Sequence, residues 1–151
     1  ALTHVRLWEN PLWLSARLNI LANRFNVPMY GWIEERFGLS RPEFVVLYQL
    51  SLVDNLSAAT ISVSTAFPKN TLSRAVQRLL RLKMIARRSD PADGRSYLLT
   101  LSARGRAVVD EATPRLYACE QAMLAGLSMR DRETLSTLLA AMVEALESDV
   151  P

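Results

Sequence analysis

The side chains with the clearest chemical potential are the arginines and lysines in the middle of the sequence. Residues 69–106 carry ten basic side chains against two acidic ones, a net charge of +8, whereas the whole chain carries +3. Eight of the ten are arginine, whose planar guanidinium forms paired hydrogen bonds with phosphates and base edges. Because neutralising phosphates releases condensed counterions, this segment predicts binding to a polyanion. A solvated charged face is the alternative.

The groups that could support catalysis or bind a metal ion are sparse. The single histidine, His4, and the single cysteine, Cys119, lie far apart in the sequence, which has no glycine-rich phosphate loop. The adjacent carboxylates at 34–35 and 110–111 point to different sides of a helix and are interpreted as solvated. We therefore predict that the chain is not an enzyme and that it binds no metal ion and no cofactor.

The composition is typical of one globular domain. Half of the 151 residues are hydrophobic and 22% are charged, which is enough apolar material for a core. No apolar stretch approaches the roughly 20 residues needed to cross a bilayer, and the first residues lack the apolar centre of a signal peptide. Cys119 cannot form an internal disulfide and is interpreted as a small buried hydrophobe, with a redox switch as the alternative. These features predict a soluble cytoplasmic protein.

Capping residues predict where the first helix begins and ends. Asn10 followed by Pro11 indicates a helix start, because an N-cap side chain precedes a proline at the first helical position. Gly38 indicates the end of this helix. Pro28, which lies inside the apolar pattern, is expected to kink or interrupt it.

Two further helices follow in the same way. Ser40 and Glu43 have the spacing of a capping box, which begins a second helix that runs to about Val53. Ser57 caps a short third helix that ends near Phe67.

A fourth helix, opened by Pro68, has two well-separated faces. Its apolar stripe consists of Leu72, Ala75, Val76, Leu79 and Leu82. The opposite face carries Asn70, Arg74, Gln77 and Arg81, flanked by Ser73 and Arg78. The periodicity then changes, because residues 84–88 and 97–101 read as two strands around a run of turn formers at 89–94. Ser102 caps the helix that follows this predicted hairpin.

The order of helix, tight turn, basic helix and β-hairpin is typical of a DNA reader, because a helix about 10–12 Å across fits the major groove of B-DNA. Within this order, residues 93–105 resemble the wing signature of the MarR family: Asp-x-Arg, then Leu, then Leu-Thr/Ser-x-x-Gly. Residues 71–74 and Leu79 have the spacing of the recognition helix of that family. The resemblance extends over nearly the whole chain.

The resemblance implies a mainly α-helical fold with a small β-hairpin: a winged helix-turn-helix with N- and C-terminal dimerisation helices. In a single MarR-like domain over 1–151, residues 1–38 and 107–151 would form the dimerisation helices, and 40–105 the winged helix-turn-helix lobe. It further implies a homodimer that binds a pseudo-palindromic double-stranded DNA operator. Such a protein would be a repressor, less often an activator, whose DNA affinity responds to a small aromatic or anionic effector.

By the same resemblance, the recognition helix would enter the major groove and the wing the minor groove. Arg95 would insert into the minor groove, where the negative potential is enhanced, and Asp93 would brace it. Arg88 would contact phosphate. The predicted DNA-binding residues are Lys69, Asn70, Thr71, Ser73, Arg74, Gln77, Arg78, Arg88, Asp93 and Arg95.

Four positions, at three places in the chain, depart from the family pattern. Residues 61–62 are Ile-Ser where the family usually has Leu-Ala, and Ala66 stands where the turn commonly has glycine. Lys83 replaces the glycine that usually ends the recognition helix, and a left-handed backbone there would cost about 1–2 kcal/mol. None of these changes removes a predicted DNA contact.

Four residues are candidates for an effector pocket between the dimer helices and the DNA-binding lobe: Trp13, Arg17, Trp32 and Tyr48. Aromatic rings with a guanidinium suit an aromatic carboxylate, whereas core and dimer packing is the alternative. Two other functions stay open: a winged-helix module that binds proteins instead of DNA, and a small-molecule-binding protein or enzyme. The positive segment argues against the first, and no motif supports the second.

Overall fold

The computed structural model describes residues 9–93 and 96–148 of the chain. In these ranges the fold is mainly helical with one small antiparallel sheet, as predicted. The elements in chain order are α1 (Trp13–Phe37), α2 (Arg41–Leu52), β1 (Leu56–Ser57), α3 (Ala58–Thr65), α4 (Lys69–Arg81), β2 (Ile85–Ser89), β3 (Tyr97–Leu101), α5 (Ala103–Met123) and α6 (Met129–Ser148). The described residues form two compact units that divide within α5, after Arg115. The predicted division of the domain at 38, 40, 105 and 107 stays a prediction.

Helix α1 starts two residues later than predicted and is longer than its proline suggested. Asn10 Oδ1 accepts a hydrogen bond from the Leu12 N–H at 2.7 Å, and the first helical residue is Trp13. The helix continues through Pro28, so the expected interruption does not occur. Met29 and Ile33 are buried just after the proline, and their packing offsets the one helical hydrogen bond that proline removes. Gly38 ends the helix with φ 66°, as predicted.

The core of the first unit forms where α2, α3 and α4 pack together. Its fully buried side chains include Phe44, Val46, Leu47, Leu50, Ile61, Leu72 and Leu79. In α4 the buried residues are Leu72, Ala75, Val76 and Leu79, which confirms four members of the predicted apolar stripe, whereas the fifth, Leu82, is the half-buried C-cap. The 3.6-residue period therefore fixes which side of α4 faces outward.

Helices α3 and α4 form the predicted helix-turn-helix. Ser57 Oγ accepts the Thr60 N–H at 3.0 Å and caps α3, which ends at Thr65, two residues before the predicted end. Ala66 then adopts a left-handed conformation with φ 54°, the conformation for which glycine is usually selected. Pro68 is the N-cap of α4.

The hairpin is part of a three-stranded sheet in the order β1-β3-β2. Strand β3 has its predicted bounds, and β2 begins one residue later than predicted. Strand β1 was not predicted; in it Leu56 pairs with Leu99 and Ser57 with Leu98. Two residues are too short to give a periodic signal, so only the long-range pairing defines this strand.

A dense set of hydrogen bonds joins the end of α4 to the start of α5. Lys83 has φ 56°, so the position where the family usually has glycine is indeed left-handed. Ser102 Oγ lies 2.9 Å from the Lys83 carbonyl oxygen and 2.8 Å from that of Met84, and it accepts the Gly105 N–H at 3.1 Å. Ser102 therefore caps α5, as predicted, and also fixes the turn that leads into the wing.

Replacing Lys83 by glycine should stabilise the protein. Lys83→Gly relieves the left-handed strain at a cost in unfolded-state entropy, and we expect the free energy of unfolding to rise by about 0.5–1 kcal/mol. The matched control is Ala107→Gly at an exposed helical position of α5, which should lower it by about 0.5–1 kcal/mol. Urea unfolding of both variants measures the difference, and destabilisation by Lys83→Gly would contradict the strain argument.

The second unit contains the end of α5 and helix α6. Ser128 and Asp131 cap α6 reciprocally, and Arg132 donates hydrogen bonds to Gln121 Oε1 at 3.0 Å and to the Leu124 carbonyl at 2.9 Å. Helix α6 nevertheless leaves apolar side chains exposed, namely Leu135, Leu138, Leu139, Val143 and Leu146. Within the described ranges, no helix combines the length and the apolar character that crossing a membrane requires.

Candidate nucleic-acid interface

The exposed side of α4 carries most of the predicted DNA-binding residues. Lys69, Asn70, Ser73, Arg74 and Gln77 are exposed, and Thr71 is half-buried. The same surface includes the exposed Arg81 in the last turn. Because the opposite stripe of α4 is buried in the core, these polar side chains face outward together.

A groove runs between this surface of α4, helix α3 and strand β2. It has a volume of about 310 Å³ and is lined by Ala58, Ala59, Ser62, Lys69, Leu72, Ser73, Val76, Gln77 and Arg87. Arg87 was counted in the basic segment but was not predicted as a site residue. Four of the five residues of β2 are exposed, so the direction of Arg87 depends on how the strand packs, which the sequence does not show. The arrangement places a further cation beside the outward side of α4.

The base of the wing is described on both strands. Arg87 lies over the ring of Tyr97 at 5.7 Å, and Arg88 is exposed. The Asp90 N–H donates to the Ser96 carbonyl at 3.1 Å, and the Ser96 hydroxyl donates to Asp90 Oδ2 at 3.1 Å. Asp93 is also exposed. Gly94 and Arg95 lie outside the described residues, so the insertion of Arg95 and its bracing by Asp93 stay predictions.

Arg78 was predicted to bind DNA, but unlike the exposed polar side chains of α4 it is hydrogen-bonded within the protein. Its guanidinium donates to Glu43 Oε2 at 2.5 Å and to the Gly38 carbonyl oxygen at 2.9 Å. The Glu43 side chain is 7% exposed, whereas that of Arg78 is 42% exposed. This pair could not be predicted from local patterns, because the partners are 35 residues apart.

The four candidate pocket residues lie in three different aromatic groups. Arg17 stacks over the ring of Trp13 at 4.8 Å. Trp32 contacts the Phe37 ring edge-on and has the Arg115 guanidinium 4.7 Å above it. Tyr48 is stacked on Phe44, with ring centroids 6.4 Å apart. Arg17 was predicted beside Trp13, whereas the cation over Trp32, Arg115 of α5, was not predicted.

The Tyr48 group continues into a cluster that was not predicted and that joins α1 to the helix-turn-helix, because the rings of Tyr30 and Phe44 meet edge-on with centroids 6.3 Å apart. The Arg41 guanidinium lies 5.4 Å from the ring of Tyr30 and 5.4 Å from that of Phe67. Burial raises the pKa of the Tyr30 hydroxyl above its ordinary value of 10.0, and the positive charge of Arg41 opposes that rise. Among the described residues, no group of three or more His, Cys, Asp or Glu side chains could hold a metal ion.

Both the sequence and the fold of the chain are similar to those of known proteins. A family model described as MarR family matches residues 37–96. The HTH-type transcriptional repressor Rv2887 of Mycobacterium tuberculosis is 31% identical over 112 residues, which cover 74% of this chain and 78% of that protein.

Two solved structures align with more of the chain. A MarR-family transcriptional regulator from Silicibacter pomeroyi aligns with a TM-score of 0.79 and 27% identity over 85% of this chain and 86% of that one. BpsR of Bordetella bronchiseptica, whose DNA binding is regulated by 6-hydroxynicotinic acid, aligns with a TM-score of 0.73 and 28% identity over 95% and 96% of the two chains. The chain therefore belongs to the MarR family of winged-helix transcriptional regulators.

Proposed function

We propose that the chain is a non-enzymatic cytoplasmic repressor that binds double-stranded DNA sequence-specifically as a homodimer. The observation that carries this proposal is the outward side of α4, with Asn70, Ser73, Arg74 and Gln77 exposed together and Arg87 beside them. Amide and guanidinium groups at the exposed side of one helix suit base edges in a major groove. Binding of DNA by these side chains requires no catalytic group and no second substrate.

The wing completes the proposed contact with DNA. Arg88 is exposed on β2 and would contact phosphate. We further propose from the sequence that Arg95 inserts into the minor groove, where the enhanced negative potential attracts arginine. Asp93 and Lys69 would support these contacts at the wing and at the start of α4.

Exposed apolar side chains on helices support the proposed homodimer. In α1 they include Leu18 and Leu21, and in α6 they include Leu138 and Leu146. Apolar clusters of this kind mark association surfaces, because leaving them in water is unfavourable. A two-fold dimer would present its two α4 helices to half-sites about 34 Å apart on a pseudo-palindrome.

An effector that modulates DNA binding is also part of the proposal. BpsR responds to 6-hydroxynicotinic acid, an anionic aromatic compound, and shares its fold with this chain. In this chain, cations already face aromatic rings at Trp13 and Trp32. Such pairs suit a small aromatic carboxylate. Its ring would stack on the tryptophan, and its carboxylate would form an ion pair with the guanidinium.

Salt-titrated binding tests the proposed function. Genomic fragments that the protein retains at 50 mM salt would be identified and the tightest duplex titrated at several salt concentrations. If each dimer neutralises about six phosphates, the affinity should fall about 10³-fold between 50 and 200 mM salt. A scrambled duplex of equal length is the control and should bind more weakly. Failure to retain any duplex would favour the protein-interaction module instead.

A further inference from the structure

One arginine of α4 joins the ends of two other helices. Arg78 Nη1 donates to Glu43 Oε2, and Arg78 Nη2 donates to the carbonyl oxygen of Gly38. Gly38 is the C-cap of α1, and Glu43 lies in the first turn of α2. The two nitrogens of one guanidinium therefore connect α4 to the α1–α2 corner.

Both acceptors are suited to hold this cation. The Glu43 carboxylate is nearly buried, so losing its partner would leave a charge without compensation. The Gly38 carbonyl lies at the end of α1, where the helix dipole is negative and the last carbonyls lack helical partners. The Ser40 N–H donates to the same Glu43 oxygen at 2.7 Å, which fixes the carboxylate through the capping box.

We propose that Arg78 is a positioning residue that sets the orientation of α4 for DNA binding and does not contact phosphate. This inference rests on the proposed function. The link is rigid because a planar guanidinium that meets two acceptors restrains rotation and translation of α4 at once. Arg74, one turn earlier on α4, would then be presented at a fixed angle to a base edge.

A variant without the negative charge of Glu43 distinguishes the two possible roles of Arg78, which are positioning α4 and contacting phosphate. Glu43→Gln keeps an oxygen that can accept the Ser40 N–H, but it removes the ion pair with Arg78 and leaves only a weaker hydrogen bond to a neutral amide oxygen. If Arg78 positions α4, this variant should bind DNA about threefold more weakly, within the range of coupled charge pairs. If Arg78 contacts phosphate, the loss of a nearby negative charge should leave binding unchanged or strengthen it.

Replacements of Arg78 itself give a second distinction. Arg78→Lys keeps the charge but cannot meet both acceptors, so the affinity for the selected duplex should fall about fivefold. Arg78→Gln should weaken binding about tenfold with little change in the salt slope, whereas Arg88→Gln, the phosphate-contact control, should lower that slope by about 1. The double variant Glu43→Gln/Arg78→Gln should bind the selected duplex as tightly as Arg78→Gln alone, because both substitutions break the same contact.

The inference is overturned if Glu43→Gln binds as tightly as wild type or more tightly, or if Arg78→Gln lowers the salt slope as Arg88→Gln does. Hydrogen exchange of α4 amides in the free protein adds a readout that needs no DNA: exchange should be faster in Glu43→Gln, and unchanged exchange would contradict the link. If wild type bound no duplex, the proposed function would fail, and this exchange difference would still decide whether Arg78 holds α4. Thermal unfolding of each variant identifies any that do not fold. In that case the DNA affinity of Arg78→Lys tests the inference, and wild-type affinity would overturn it.

Discussion

Gly105→Ala is expected to lower the free energy of unfolding by about 3 kcal/mol, because the added methyl group has no space. A Cβ atom at this position would lie 2.3 Å from the Met84 carbonyl oxygen and 2.7 Å from Leu101 Cδ1. The Leu101 side chain can move, but the Met84 carbonyl accepts the Ser102 N–H at 3.0 Å and lies 2.8 Å from its hydroxyl. The clash can therefore be relieved only if α5 moves away from the turn between α4 and β2.

Gly31→Ala is the matched control for this prediction. Gly31 lies inside α1, and a Cβ there would meet nothing within 4 Å. The same methyl group should stabilise the protein by about 0.5–1 kcal/mol, because alanine has the higher helix propensity. Urea unfolding followed by circular dichroism measures both variants. Equal stability of Gly105→Ala and wild type would mean that α5 approaches the turn less closely than described.

Arg74→Ala is expected to weaken binding to the selected duplex by about 1–3 kcal/mol, the range for loss of one bidentate base contact. Arg74 is exposed on α4 between Ser73 and the buried Ala75, so its guanidinium extends from the outward side of the helix. Binding to the scrambled duplex should change much less, and the preference at one base pair should relax. Fluorescence anisotropy with single-substitution duplexes measures both effects.

Arg104→Ala makes the same change of charge at an exposed position of α5 and serves as the control. It should weaken the selected and scrambled duplexes alike, since any effect would be through long-range electrostatics. Equal losses on both duplexes for Arg74→Ala would remove Arg74 from the set of base-reading residues and assign it to phosphate.

Local signals were sufficient to predict most of the fold. Ser57 and Ser102 cap the helices expected of them, because an N-cap bonds within three residues and leaves a sequence signature. The buried stripe of α4 follows from helical periodicity alone. The left-handed Lys83 was foreseen only through the family resemblance, since lysine by itself gives no such signal.

The features that the sequence could not reveal depend on distant partners. Strand β1 exists because Leu56 pairs with Leu99, far along the chain. Arg78 was placed among the DNA-binding residues because its helical angle flanks the polar face, whereas its contact with Glu43 requires the packing of α4 on α2. The position of Arg41 between the rings of Tyr30 and Phe67 likewise depends on the packing of α1, α2 and the turn after α3.

The position of β3 has a consequence for how the wing can change. Both edges of β3 are paired, with β1 on one side and β2 on the other, and the Asp90–Ser96 bonds close the loop at its base. The residues that anchor the sheet are thus distinct from those between 90 and 96. If the wing contacts DNA as proposed, substitutions between residues 90 and 96 would alter operator preference while the folding of the lobe is preserved.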